Sequence, residues 1–145
     1  MDRNPIAART TNQTLTYNKV TPSDCIVGDL FHNLSSAWQN QIDIIVFNPP
    51  YVPTEKDEFV NAKGLALAWA GGLDGREVID SFLADLDRWL SPSGCCYLLL
   101  LKENKPSEIA ADLRARCFSV AVLQKVSAGR ERLYVIRIQR ELEAG

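Results

Sequence analysis

"REVIDSFLADLDRWLSPSGCCYLLLLK", residues 76–102, holds two periodicities joined by a breaker. In its first half Val78, Ile79, Phe82, Leu83, Leu86 and Leu90 recur at spacings of three and four, with Asp80, Asp85, Asp87 and Arg88 on the other side. That pattern predicts a helix with one apolar and one wet face. Ser91-Pro92-Ser93-Gly94 should stop it, since proline lacks a backbone donor and its neighbours favour turns. CCYLLLLK (95–102) then shows no alternation, which predicts a strand buried on both faces. A helix of this kind feeding such a strand implies an α/β fold.

Working outward, Pro106 starts a further helix to about Arg116, with Ile109 and Leu113 turned inward. FSVAVLQKV (118–126) and RLYVIRIQ (132–139) flank the turn Ser127-Ala128-Gly129-Arg130 and should pair as an antiparallel hairpin. Upstream, IDIIVF (42–47) reads as a buried strand and CIVGDL (25–30) as a shorter one. Asn4-Pro5 reads as a cap and first helical position, opening a helix to about Leu15. A loop follows Phe47 to about Glu58, then an irregular helical turn over Phe59–Trp69 and the breaker Gly71-Gly72-Leu73-Asp74-Gly75. The order predicts one domain over 1–145, a mostly parallel sheet with a C-terminal antiparallel hairpin.

Bulk properties exclude more than they select. The 145 residues are 46% hydrophobic and 23% charged, with net charge −2, so nothing draws the whole chain to nucleic acid or anionic lipid. Lys125, Arg130, Arg132, Arg137 and Arg140 cluster near the C-terminus and read as a solvated edge hairpin. No stretch approaches the roughly 20 apolar residues of a membrane helix, and MDRNPIAARTTNQTL lacks a secretory apolar core. Cys25, Cys95, Cys96 and Cys117 form no CxxC pair, and His32 is the only histidine, so no metal site is expected. Free thiols suit a reducing compartment, cytoplasmic or also nuclear.

In open parallel sheets ligands bind beyond the carboxyl ends of strands, and two strand ends here are polar. Asp29 follows CIVG and Asn48 follows IDIIVF. For Asp29 alone, a turn or helix cap is the better reading. At 48–51, Pro49 and Pro50 fix their own φ and hold Asn48 extended. An asparagine oxygen beside proline carbonyls suits an NH2 group, which has two hydrogens to donate. Tyr51 adds a ring against which a planar amide or base can pack. A rigid surface turn is the competing reading.

Three stretches together resemble the HemK/PrmC-type class I S-adenosylmethionine-dependent methyltransferases, in their eukaryotic and archaeal branch. VFNPPYV (46–52) is similar to their catalytic loop, AWAGGLDGREVID (68–80) to the branch's hallmark segment, and MDRNPIAA (1–8) to the acidic end of the second strand. KEN (102–104) also fits. The resemblance implies a Rossmann-like sandwich and N5-methylation of the glutamine in a Gly-Gly-Gln loop of a translation release factor. It implies that Asn48, Pro49, Pro50 and Tyr51 form the catalytic loop, in which Asn48, Pro49 and Tyr51 bind the substrate and Asn48 also meets the cofactor. Asp2 would then take the cofactor ribose, and Asp29 with Leu30 its adenine. The partner implied is a small zinc-binding activator subunit that adds to the sheet edge. The family's first strand and glycine-rich turn lie ahead of the position of Asp2, so an incomplete, N-terminally truncated sandwich is expected. The alternatives are a non-catalytic partner-binding fragment and an adenine or other nucleic-acid amino-methyltransferase.

Overall fold

The computed structural model describes residues 1–141. The chain divides into two compact units, Met1–Ala37 and Trp38–Gly145.

In the first unit, helix α1 spans Pro5–Tyr17. The Asn4 side chain caps it by accepting from the Ile6 N–H at 2.9 Å, and Pro5 takes a position where no backbone donor is needed. Thr10 and Thr14 turn their hydroxyls onto the carbonyls of Ile6 and Thr10, each at 3.0 Å. The helix therefore tolerates its threonines and passes the expected end at Leu15. The strand expected over 25–30 is instead one isolated parallel bridge, Asp2 to Val27. Asp2 N–H donates to the Ile26 carbonyl at 3.1 Å, and Gly28 N–H to the Asp2 carbonyl at 3.0 Å. A ladder needs a partner that supplies groups along its whole length. Here only Asp2 does.

The second unit contains β1 (Ile42–Phe47), α2 (Lys56–Val60), α3 (Glu77–Trp89), β2 (Leu90–Leu101), α4 (Pro106–Ala115), β3 (Phe118–Ala128) and β4 (Glu131–Arg140). Its mixed sheet has the order β1-β2-β4-β3, with β1 and β2 parallel and the other two pairings antiparallel. Register places Ile45, Cys96, Ile138 and Val120 in one row, and Phe47, Leu98, Ile136 and Val122 in the next. Cys96, Leu98, Ile136 and Ile138 on this face are buried, as are Ile79, Phe82 and Leu86 of α3 and Ile109 and Leu113 of α4. The Phe47 and Phe82 rings meet at 4.3 Å between centroids, which seats α3 on the end of β1.

Two expectations need correction. Full burial of 95–102 on both faces does not hold, because Cys95, Tyr97 and Leu99 are half-buried, and Ile44 and Val46 of β1 in the same rows are 64% and 77% exposed. Both long helices of this unit pack on one side, and an apolar run cannot say which side its neighbours take. Ser91–Gly94 does end the helix, but it lies inside β2 as an irregularity. Ile42 pairs with Leu90 while Ile44 pairs with Cys95. Gly94 permits this, since a Cβ there would stand 2.7 Å from the Ile42 carbonyl oxygen. The Ser91 hydroxyl donates to Asp43 Oδ1 at 2.7 Å and ties the two strands together.

The hairpin forms as expected, turning at Gly129 with φ +62. Lys125, Arg130 and Arg132 are exposed, but Arg140 is half-buried. Its guanidinium donates to the carbonyls of Asp87 and Leu90 at the end of α3.

All four cysteines are free thiols. Burial, helped by neighbouring Cys95, pushes the Cys96 thiol up to about 12 from the ordinary 9.0. Its stabilising effect is therefore full below pH 9.0 and is lost as pH rises towards about 12. Alkylation with iodoacetamide at pH 8 should label exposed Cys117 first and Cys96 only after denaturant is added, as read by peptide mass spectrometry. Equal labelling in the folded protein would contradict the packing of β2.

Candidate acceptor and cofactor sites

At the end of β1 the chain changes from ladder to loop. Asn48 is exposed and Pro49 buried, with Pro50 and Tyr51 half-buried. Among the described residues the Asn48 side chain makes no hydrogen bond, and the Pro49 carbonyl accepts none. An exposed amide on a buried proline support is an open acceptor and donor with a fixed base.

The loop is fixed by the segment read from sequence as a breaker. Val52 and Ala70 form a parallel bridge. Val52 N–H donates to Trp69 O at 2.9 Å, Gly71 N–H to Val52 O at 2.8 Å and Thr54 N–H to Gly72 O at 2.9 Å. The Thr54 hydroxyl accepts from Gly72 N–H at 2.9 Å. This approach needs residues without side chains. A Cβ on Gly71 would sit 2.6 Å from the Pro50 carbonyl oxygen, and one on Gly75 would collide with that of Tyr51. The hallmark glycines are thus the wall against which the Asn48–Tyr51 loop is pressed.

Charge pins the same wall to the helices. Arg76 pairs with Asp80 at 2.9 Å and with Glu108 of α4 at 3.2 Å, holding the start of α3 against α4. Lys105 pairs with Asp74 at 2.6 Å. Its ammonium is held above the usual lysine range, first by the hydrogen bond to Asp74 and then by that carboxylate's charge.

In the first unit the bridge brings Asp2 beside the segment that leads to Asp29. Asp2 Oδ1 accepts from Asn4 N–H at 2.8 Å. Asp29 is half-buried, and its carboxylate faces Arg3 at 3.4 Å. The turn after it is closed by its backbone carbonyl, which accepts from His32 N–H at 3.0 Å. Leu30 follows in left-handed backbone, φ +48. The acidic pair and the Asn48 loop lie in different units. Among the described residues no group of histidine, cysteine and acidic side chains could hold a metal ion, and no helix is long and apolar enough to cross a membrane.

No protein-family model matches the chain. A Methanocaldococcus jannaschii protein, MJ0928, named as a protein N5-glutamine methyltransferase, is 32% identical over 140 residues, covering 97% of this chain and 68% of its own length. The chain belongs to the protein glutamine methyltransferase family. "Methyltransferase HEMK2" of Mus musculus is 40% identical over 139 residues, covering 96% of this chain. This glutamine methyltransferase family member spans 64% of that relative's length. Among solved structures, the E. cuniculi Mtq2-Trm112 complex, responsible for methylation of the eRF1 translation termination factor, matches with TM-score 0.63 and 25% identity. That match covers 96% of this chain and 82% of the solved one. A ribosomal protein L11 methylase from Lactobacillus delbrueckii subsp. bulgaricus shares the fold at TM-score 0.59 and 15% identity.

Two contributors to the site were not read from the sequence. In the sequence the glycines of 71–75 read as a breaker and a family marker, with no contact to the loop implied. Asn104 was one letter of a fitting tripeptide. The glycines act through close backbone approach and Asn104 through side-chain hydrogen bonds to the Tyr51 and Asp74 carbonyls, both between distant segments for which local pattern carries no signal.

Proposed function

We propose that this chain carries the acceptor half of an S-adenosylmethionine-dependent methyltransferase, acting on the side-chain nitrogen of a glutamine in a Gly-Gly-Gln loop of a translation release factor. The observation that carries the reading is the exposed Asn48 amide beside the Pro49 carbonyl, both without a hydrogen bond among the described residues, on a loop locked by the 71–75 segment. The glutamine methyltransferase and eRF1-methylating relatives support the same substrate class.

An amide nitrogen is a poor nucleophile because its lone pair is delocalised into the carbonyl. Asn48 Oδ1 and the Pro49 carbonyl can each accept one of its two hydrogens, fixing the plane of the NH2 group. Tyr51 packs along the side-chain amide and limits its rotation. Acceptors held in place cost no reorganisation when positive charge develops on the nitrogen, so positioning and electrostatics carry the step. Bound S-adenosylmethionine supplies the electrophilic methyl on a positively charged sulfur.

The residues fit the nucleoside end of that cofactor. Adenine and ribose offer N–H and O–H donors, and Asp2 and Asp29 offer carboxylate acceptors on adjoining backbone. No glycine-rich strand–turn–helix among the described residues matches the methionine end. A small zinc-binding subunit adding to a sheet edge completes the proposed assembly, and the Mtq2-Trm112 pairing supports a partner subunit.

The test is transfer of labelled methyl from S-adenosylmethionine to a release factor, with the glutamine located by mass spectrometry. Binding of the cofactor by calorimetry and label on that glutamine are the expected results. No binding at millimolar cofactor sinks catalysis by this chain, and label found only on DNA sinks the protein substrate.

A further inference from the structure

We infer that Asn104 is the positioning residue of the acceptor loop, joining the end of β2, the Tyr51 backbone and the glycine wall through one side chain. Its functional consequence rests on the acceptor reading above; its mechanical role does not.

Asn104 is completely buried, and with Ser91 it stands out as a polar side chain in a core of aliphatic and aromatic groups. It spends its hydrogen-bonding capacity on three segments. Oδ1 accepts from Leu101 N–H at 2.7 Å, the last residue of β2. Nδ2 donates to Tyr51 O and Asp74 O, both at 2.8 Å, with Gly75 O further off at 3.4 Å. A buried amide is costly unless bonded, so an asparagine bonded at both ends imposes one arrangement on its partners. The partners lie 53 and 30 positions away in sequence, so this is a tertiary tie.

The direction of the bonds matters. Tyr51, Asp74 and Gly75 present carbonyls, whereas Leu101 presents an N–H. Only a side chain with an acceptor on one branch and two donors on the other satisfies both sets, and an asparagine does so at this volume. Aspartate has the same shape but turns an oxygen on the carbonyls. Lys105 follows with φ +55, which lets the chain leave the strand while Asn104 stays inside. The Tyr51 carbonyl is two residues from Pro49, and the intervening Pro50 transmits its placement to the proposed acceptor atoms.

The test is Asn104→Asp, with hydrogen exchange at single amides by NMR. Val52, Thr54 and Gly71 N–H should exchange about tenfold faster or more than in the unmodified chain, while Leu98 and Ile136 keep their protection. Exchange at the three amides within about twofold of the unmodified chain overturns the inference. Should the variant fail to fold, the unmodified chain decides. In low denaturant Leu101 N–H should open in the same sub-global event as Val52 and Gly71, and opening of Leu101 only with global unfolding overturns it. Where methyl transfer is measurable, Asn104→Asp should lower kcat about 100-fold with little change in KM for the release factor. A chain that transfers no methyl at all contradicts the proposed function and leaves the exchange result to judge Asn104.

Discussion

Gly75→Ala should destabilise the protein several times more than Gly129→Ala, although both glycines sit in the same backbone region. Gly75 has φ +68 and Gly129 φ +62, so each substitution incurs a similar left-handed penalty of about 1 kcal/mol. What differs is the space. Nothing lies within 4 Å of a Cβ at Gly129, whereas at Gly75 it would strike the Tyr51 carbonyl oxygen and come within 2.5 Å of Asn104 Nδ2. Neither neighbour is a flexible side-chain end. Forcing them apart adds about 1–3 kcal/mol of overpacking and breaks the Tyr51 tie. Denaturant midpoints of the two variants give the comparison. Equal shifts would mean that the 71–75 segment does not press on the loop and that backbone conformation alone selects its glycines. Under the proposed function, cofactor binding through Asp2 and Asp29 should be the same in both variants if the damage is confined to the loop.

That asymmetry also shows what local pattern can and cannot carry. α3 was readable because Ile79, Phe82, Leu83 and Leu86 repeat with the helical period, and all four are buried. The hairpin was readable from two apolar runs around a glycine turn, and the end of β1 from the switch at Phe47–Asn48. The burial of β2 was misread because CCYLLLLK records affinity for neighbours without saying where those neighbours stand. The start of β2 at Leu90 depends on its register with Ile42, a property of two strands and not of one. CIVGDL has strand composition, yet a bridge to Asp2 is all that its unit offers. The residues proposed as acceptors are nameable from chemistry, since proline-fixed backbone beside an amide is a local feature. Their support could not, because Gly71, Gly75 and Asn104 act on Pro50 and Tyr51 across the fold.

Asn48→Ala should separate function from stability. The side chain is exposed and makes no hydrogen bond among the described residues, so its removal should move the unfolding free energy by no more than about 0.5 kcal/mol. The effect on methyl transfer should be large. Deleting one preorganised partner of the reacting group costs on the order of 10²–10³ in kcat, or about 3–4 kcal/mol of transition-state stabilisation. Asn48→Asp should recover part of the loss, because both its oxygens accept hydrogen bonds and the prolines still hold the backbone. The competing view of Asn48-Pro49-Pro50-Tyr51 as a rigid surface turn makes the opposite forecast, with transfer unchanged in both variants. Rates measured with labelled S-adenosylmethionine and a release factor, beside denaturation of the same preparations, distinguish the two. A fall in transfer matched by an equal loss of folded protein would also count against the clamp, since an unbonded exposed amide has no stability to give.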